Sequence, residues 1–360
     1  MNTREVLIVG IICTSLLTAG VAYKKFVMDP QQAPVSEQPG PVTPEEPVTP
    51  EEPEPEPSTL EDAVASITAD ELKEIVYYLA DDSLEGRQSG EPGCDKARDY
   101  IKKFFEDLGY EVELDEFRVS RGDGTAENVY AWIDGSENPD EIVVIGGHYD
   151  HIGKGRGGVY NGADDNASGT AAVMEMAEAL APMKGQNKRT IVFQLYAGEE
   201  LGLVGSSHYA NSPTFPRSSP SMRNHIFMEN LDMIGRSSMA GQILQYERET
   251  SPLSDVIRKL EGKYPFAGKY TREGMSGGAS DHAPFTRKGV PAVFIHTGTH
   301  RDYHRTTDTA DKINYNGMEQ ITKYGLELAW EICQNGLSRQ ANFVEEEIEM
   351  LDHGVAPFLK

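Results

Sequence analysis

The stretch TIVFQLYAGEELGLVG, residues 190–205, begins as an apolar strand and runs straight into two adjacent carboxylates, Glu199 and Glu200. Side chains at neighbouring positions point in different directions, so the two acids are suited to separate tasks. Taken alone, they need do no more than complement the dipole of a following helix. Their meaning depends on what the other strands of the chain end in.

Three further apolar runs read as strands: IVVIGG (142–147), HIFMENLDM (225–233) and PAVFIHT (291–297). Helical patterns lie between or after them, in SGTAAVMEMAEALA, PLSDVIRKLEGK and GMEQITKYGLELAWEICQNG. Upstream, TADELKEIVYYLADD opens with Thr68 and Glu71 at capping-box spacing, and DKARDYIKKFFEDLG stops at Gly109, a residue suited to a helix C-cap. Apolar runs alternating with amphipathic helices predict an α/β fold, a three-layer α/β/α sandwich around a mixed, mostly parallel central sheet. One folded domain is expected over residues 59–360.

In open α/β sheets, ligands bind beyond the carboxyl ends of the strands. Past IVVIGG come His148, Asp150 and His151, past TIVFQLYAG come Glu199 and Glu200, and near the end of HIFMENLDM is Asp232. Beyond PAVFIHT lies GTHRDYHRTTDT, with His300, Asp302, Tyr303 and His304, and YNGADDNASG sets Asp164 and Asp165 just before a helix. Each motif has an ordinary reading by itself, as a surface His–Asp pair or as a turn and N-cap. Jointly they bring imidazole and carboxylate to four strand ends and one helix start, a donor set that suits zinc or its neighbours.

In this order, the blocks GGHYDHIG, NGADDNASGTAA, YAGEELGLVGS, NLDMIGR, SDHAPF and DYHRTTDT resemble the zinc aminopeptidases of peptidase family M28. The resemblance spans roughly residues 72–335 and implies the zinc-exopeptidase fold. It implies His148 as the first histidine ligand, oriented by Asp150, and Asp165, directly before Asn-Ala-Ser-Gly, as the carboxylate shared by two metals. Asp232 then completes one metal position, and Glu200 and His304 the other. Glu199 matches the general base, Tyr303 a tyrosine that in some relatives stabilises the oxyanion, and Asp308 a supporting carboxylate outside the ligand set. Composition alone does not separate Asp164 from Asp165. Arg305 departs from the family pattern, which carries a small residue there, and His300 is a rival ligand four residues before His304.

The chemistry so implied is removal of N-terminal residues from peptides with two Zn2+, for which Co2+ or Mn2+ could substitute. Such ions acidify a shared water and polarise the scissile carbonyl, while Glu199 carries the proton to the departing amine and Tyr303 supports the oxyanion. A carboxypeptidase or amidohydrolase could use the same centre. An inactive relative could serve as a binding domain, but every ligand position and the base are filled. Glutaminyl cyclases share the fold, and DDNASG argues against cyclisation.

The flanks differ in kind from the domain. An apolar stretch from Val6 to Tyr23, between Arg4 and Lys24-Lys25, makes residues 1–28 either a membrane anchor or a cleaved signal peptide. Both deliver the remainder across a membrane, to the periplasmic or extracellular side. Residues 29–58 alternate proline and glutamate and repeat VTPEEP, a composition that favours an extended spacer. At about 3.1 Å per residue, such a spacer could reach up to about 90 Å. The formal charge of -25 argues against nucleic acid as a partner. Cys94 and Cys333 could pair, but buried free thiols are the expected state, since three cysteines make no disulfide scaffold.

Overall fold

The computed structural model describes residues 59–122, 124–237, 252–260, 262–264 and 280–337. The N-terminal stretch 1–28 and the spacer 29–58 lie outside these residues. Among the described residues, no helix is long and apolar enough to cross a membrane. In chain order the elements begin with helices α1 (Leu60–Ser66), α2 (Ala69–Leu79) and α3 (Pro92–Asp107) and strands β1 (Val112–Arg118), β2 (Thr125–Ile133) and β3 (Asn138–His148). A small hairpin of β4 (Lys154–Gly155) and β5 (Gly158–Val159) precedes α4 (Gly169–Leu180), β6 (Arg189–Tyr196), α5 (Val204–Asn211) and β7 (His225–Leu231). Helices α6 (Pro252–Leu260) and α7 (His282–Thr286), strand β8 (Ala292–Ile295) and helix α8 (Tyr315–Asn335) follow.

The helix signals are realised locally. Thr68 caps α2 by accepting the Glu71 N–H, and its hydroxyl donates to the Glu71 carboxylate at 2.6 Å. Gly109 follows the end of α3 with a φ of +71°.

Six strands form the central sheet in the order β1-β2-β6-β3-β7-β8. From β6 to β8 the pairs are parallel, whereas β1–β2 and β2–β6 are antiparallel. The sequence reading does not anticipate β1 and β2, and its strict alternation of strand and helix fails there. The reason is compositional. VELDEFR, with Glu113, Asp115 and Glu116, is an edge strand left mostly half-exposed, so it carries no continuous apolar run.

The inner strands are apolar on both faces because both are covered. Val143 and Ile145 of β3 and Ile191, Phe193 and Leu195 of β6 join a core shared with α2, α3, α4 and α8. Ile142, Val144, Val192 and Tyr196 point the other way, towards Tyr209 of α5 and Phe285 of α7. That alternation with period two yields the three layers. Cys94 and Cys333 are free and buried in the larger core.

From β3 the chain passes through α4 to β6 on one side, then through α5 to β7 on the other, so β3 marks the switch in strand order. Its carboxyl end is held close to its neighbours by two glycines. A Cβ at Gly147 would lie 2.7 Å from the Leu231 carbonyl oxygen, and one at Gly169 would lie 2.1 Å from that oxygen and 2.5 Å from Asn166 Oδ1. The end of β7 therefore packs directly on the start of α4. Gly169→Ala should destabilise the protein by about 1–3 kcal/mol in urea unfolding. Gly262→Ala, with nothing within 4 Å, should stay within about 0.5 kcal/mol of the parent.

Candidate metal centre

His148 is the last residue of β3, and its ring is fixed from behind. Nδ1 lies 3.2 Å from the Asp150 carbonyl oxygen and 3.6 Å from Asp150 Oδ1, so the backbone of Asp150 is the nearer partner. The Asp150 carboxylate instead ties two strand ends together. It accepts the Ser89 hydroxyl and the Gly198 N–H, each at 2.9 Å, and the Glu199 N–H at 3.2 Å. This leaves His148 Nε2 facing forward, 3.4 Å from Asp165 Oδ1 and 3.6 Å from Asp232 Oδ1.

Asp164 and Asp165, indistinguishable by type, are turned to opposite duties by the turn that holds them. Asp308 Oδ2 accepts both of their backbone N–H groups, at 3.0 and 3.1 Å. The Asp164 side chain accepts the Gly235 N–H at 2.7 Å and lies 3.0 Å from His300 Nε2. Asn166, joined to Asp165 by a cis peptide bond, accepts the Gly169 and Met233 N–H groups and donates to the Leu231 carbonyl at 2.9 Å. Asp165 alone projects among the histidines. His300 is thus the partner of Asp164, whereas His304, which like His300 lies in neither donor group described below, places Nε2 3.0 Å from Asp165 Oδ2 and 3.2 Å from Glu200 Oε2.

Two groups of donors converge: His148, Asp165 and Asp232 in one, and His151, Asp165 and Glu200 in the other, each within 4.8 Å of one another. Asp165 is common to both. Donors bound at about 2.0–2.2 Å around a shared tetrahedral zinc stand roughly 3.3 Å apart, close to the separations seen here. Several of these atoms are buried without a hydrogen-bond partner, namely His148 Nε2, Asp165 Oδ2, Asp232 Oδ1 and Glu200 Oε1. Burying unpaired polar atoms is costly, and a divalent cation would satisfy them together. The nitrogen and oxygen donors fit zinc.

Electrostatics divides the glutamate pair. Burial pushes the Glu199 carboxyl well above the usual carboxylate range, and nearby Asp281, Asp232 and Glu200 reinforce this against the pull of His148. Burial would lift Glu200 too, but the His151 and His304 imidazoles beside it hold it below its ordinary value. The same contacts with Asp165 and Glu200 raise His304 to about 10. Tyr303 stacks on the His304 ring at 3.9 Å between centroids and is 39% exposed, and burial and the surrounding acids raise its hydroxyl. Arg305 is exposed.

The family resemblance gave no role to His151, which stood only among the strand-end donors, and the sequence singled out nothing at Arg87. Arg87 is fully buried and donates to the carbonyls of Tyr149, Asn161 and Gly162 at 2.7–2.9 Å and to that of Leu79, holding the two loops that carry His151 and Asp165. A histidine three residues after His148 was visible as a signal, but an arginine that serves only backbone carbonyls leaves none.

The sequence model of peptidase family M28 matches residues 128–329, more than half of the chain. The chain belongs to this family. Leupeptin-inactivating enzyme 1 of Streptomyces exfoliatus is 31% identical over 228 residues, covering 63% of this chain and 47% of its own. The chain spans about half the length of the curated relatives it matches first. Among solved structures, LapA of Legionella pneumophila is 26% identical with a TM-score of 0.63, over 77% of this chain and 76% of its own. BSAP, a zinc aminopeptidase from Bacillus subtilis, shares the fold with a TM-score of 0.64 at 15% identity, over 77% of this chain and 97% of its own. In this M28 chain, Asp165→Ala should abolish zinc retention measured by mass spectrometry after dialysis, while Asp164→Ala should keep most of it. The reverse order would hand the shared position to Asp164.

Proposed function

We propose that this protein is an exported, two-zinc aminopeptidase that hydrolyses the N-terminal residue from peptides. The observation carrying this reading is that Asp165 belongs to two converging donor groups while Glu199, beside both, belongs to neither. His148, Asp165 and Asp232 would hold one ion, and Asp165, Glu200 and His304 the other. When bound, the pair would supply Lewis acidity to the scissile carbonyl and to the attacking water. Glu199 takes up the proton that the water loses and returns it to the departing amine, a task for which a carboxylate of raised basicity is suited. Tyr303, stacked on His304 at the exposed rim, donates its hydroxyl to the oxygen on which negative charge develops. Asp150 and Asp308 hold the backbone around these groups in place.

Relatives named as leucine aminopeptidases and a zinc aminopeptidase of the same fold support the class of substrate and the metal. The apolar stretch from Val6 to Tyr23 supports export. Co2+ or Mn2+ would replace zinc with partial function, since the donors are imidazole and carboxylate.

Aminoacyl fluorogenic amides test the reading. Turnover should require a free α-amino group, cease after chelation and return with added zinc or cobalt. Cleavage confined to N-blocked or C-terminal substrates would instead identify an amidohydrolase or carboxypeptidase. Glu199→Gln should lower kcat by at least about 10²–10⁴-fold with zinc content unchanged. Glu200→Ala should lose metal first, and the opposite pattern would reverse the roles of the pair.

A further inference from the structure

We propose that His151 is a fourth protein ligand at the metal position built from Asp165, Glu200 and His304. The inference rests on the two-metal reading above and adds a residue to it.

His151 is 1% exposed, yet neither ring nitrogen has a hydrogen-bond partner. Nδ1 nevertheless stands 2.7 Å from Glu200 Oε1 and 3.7 Å from Asp165 Oδ2. The 2.7 Å approach has the length of a hydrogen bond but not its direction. A nitrogen and an oxygen whose lone pairs are aimed at one common point, rather than at each other, have this geometry. His304 approaches the same two carboxylates with its Nε2, and the two imidazoles meet at 68° with centroids 5.7 Å apart. Two imidazoles and two carboxylate oxygens thus surround one position, the number and kind of donors that a four-coordinate zinc takes.

The ring is built into place. The His151 backbone N–H donates to the Arg87 carbonyl at 3.1 Å, and the Arg87 guanidinium grips the carbonyls of Tyr149 and Gly162 on either side. Gly162 leaves the space the ring fills, since a Cβ there would lie 2.6 Å from the ring atoms Cγ and Cδ2. A histidine serving only to orient Glu200 would be expected to donate along a proper hydrogen-bond axis, which this one does not.

The consequence is an asymmetric centre. The Glu200 position has four protein donors, whereas the His148 position has three and keeps more room for a water or substrate oxygen. The four-donor position should be the tighter of the two.

Cobalt loading tests this. In the Co2+-loaded full-length protein, proton NMR should show three strongly shifted, exchangeable imidazole N–H signals, from His148, His151 and His304. His151→Gln should remove one of them and weaken one of the two bound equivalents by about 100-fold or more in chelator competition, leaving the other unchanged. Two shifted signals in the parent, or two signals unaltered by His151→Gln with both affinities within about threefold, would overturn the proposal while leaving two metals bound. A parent protein that binds no Co2+ or Zn2+ would instead defeat the underlying two-metal reading. The signal count in the parent decides the matter even where the variant does not fold.

Discussion

A single carboxylate oxygen, Asp308 Oδ2, accepts the backbone N–H groups of both Asp164 and Asp165, and the centre depends on that double contact. It fixes the turn before α4 so that adjacent side chains diverge, Asp164 towards Gly235 and His300, Asp165 towards His148, His151 and His304. The position is demanding. Burial, and next the charge of Asp164, raise Asp308 to about 6, while the two donated N–H groups draw it down. Arg236 Nη1, 3.9 Å from the other oxygen, adds a cation to the same neighbourhood.

Arg236 links that turn to the rest of the rim. It follows the Asp232 loop and donates to Asp302 at 2.9 Å, and Asp302 also accepts Lys312 Nζ at 2.9 Å and the Thr307 hydroxyl at 2.7 Å. His300, bonded to Asp164 through Nε2, receives the Asp302 N–H at 3.2 Å on Nδ1. The loops that carry Asp165, Asp232 and His304 are therefore fastened to one another behind the donors. Polar groups in such a network are useful only when partnered, and the buried atoms left without partners include those that face the centre, His148 Nε2, Asp165 Oδ2, Asp232 Oδ1 and Glu200 Oε1.

Fold and centre meet at the end of β3. Gly147 and Gly169 let the Leu231 carbonyl come down on the start of α4, which brings Asp232 and Asp165 within reach of one histidine. The carboxylate of Asp150 then draws the end of β6 to the same place, so that Glu199 and Glu200 emerge beside it.

The sequence by itself determined the four parallel strands, the histidines and carboxylates that follow them, and the family. These are legible because period-two and helical apolar patterns, and His or carboxylate at a strand end, are local in the chain. It did not determine β1, whose charged edge residues conceal a strand, nor its neighbour β2, nor the service of Arg87 to four carbonyls. The physical cause that separates adjacent residues is visible only in three dimensions: Asp164 from Asp165 by one shared acceptor, and Glu199 from Glu200 because burial dominates one and two histidines the other. The tertiary structure also set His300 apart from His304 and brought His151 beside Glu200. Which way a side chain faces depends on contacts with segments far away in the chain, and no spacing along it encodes them.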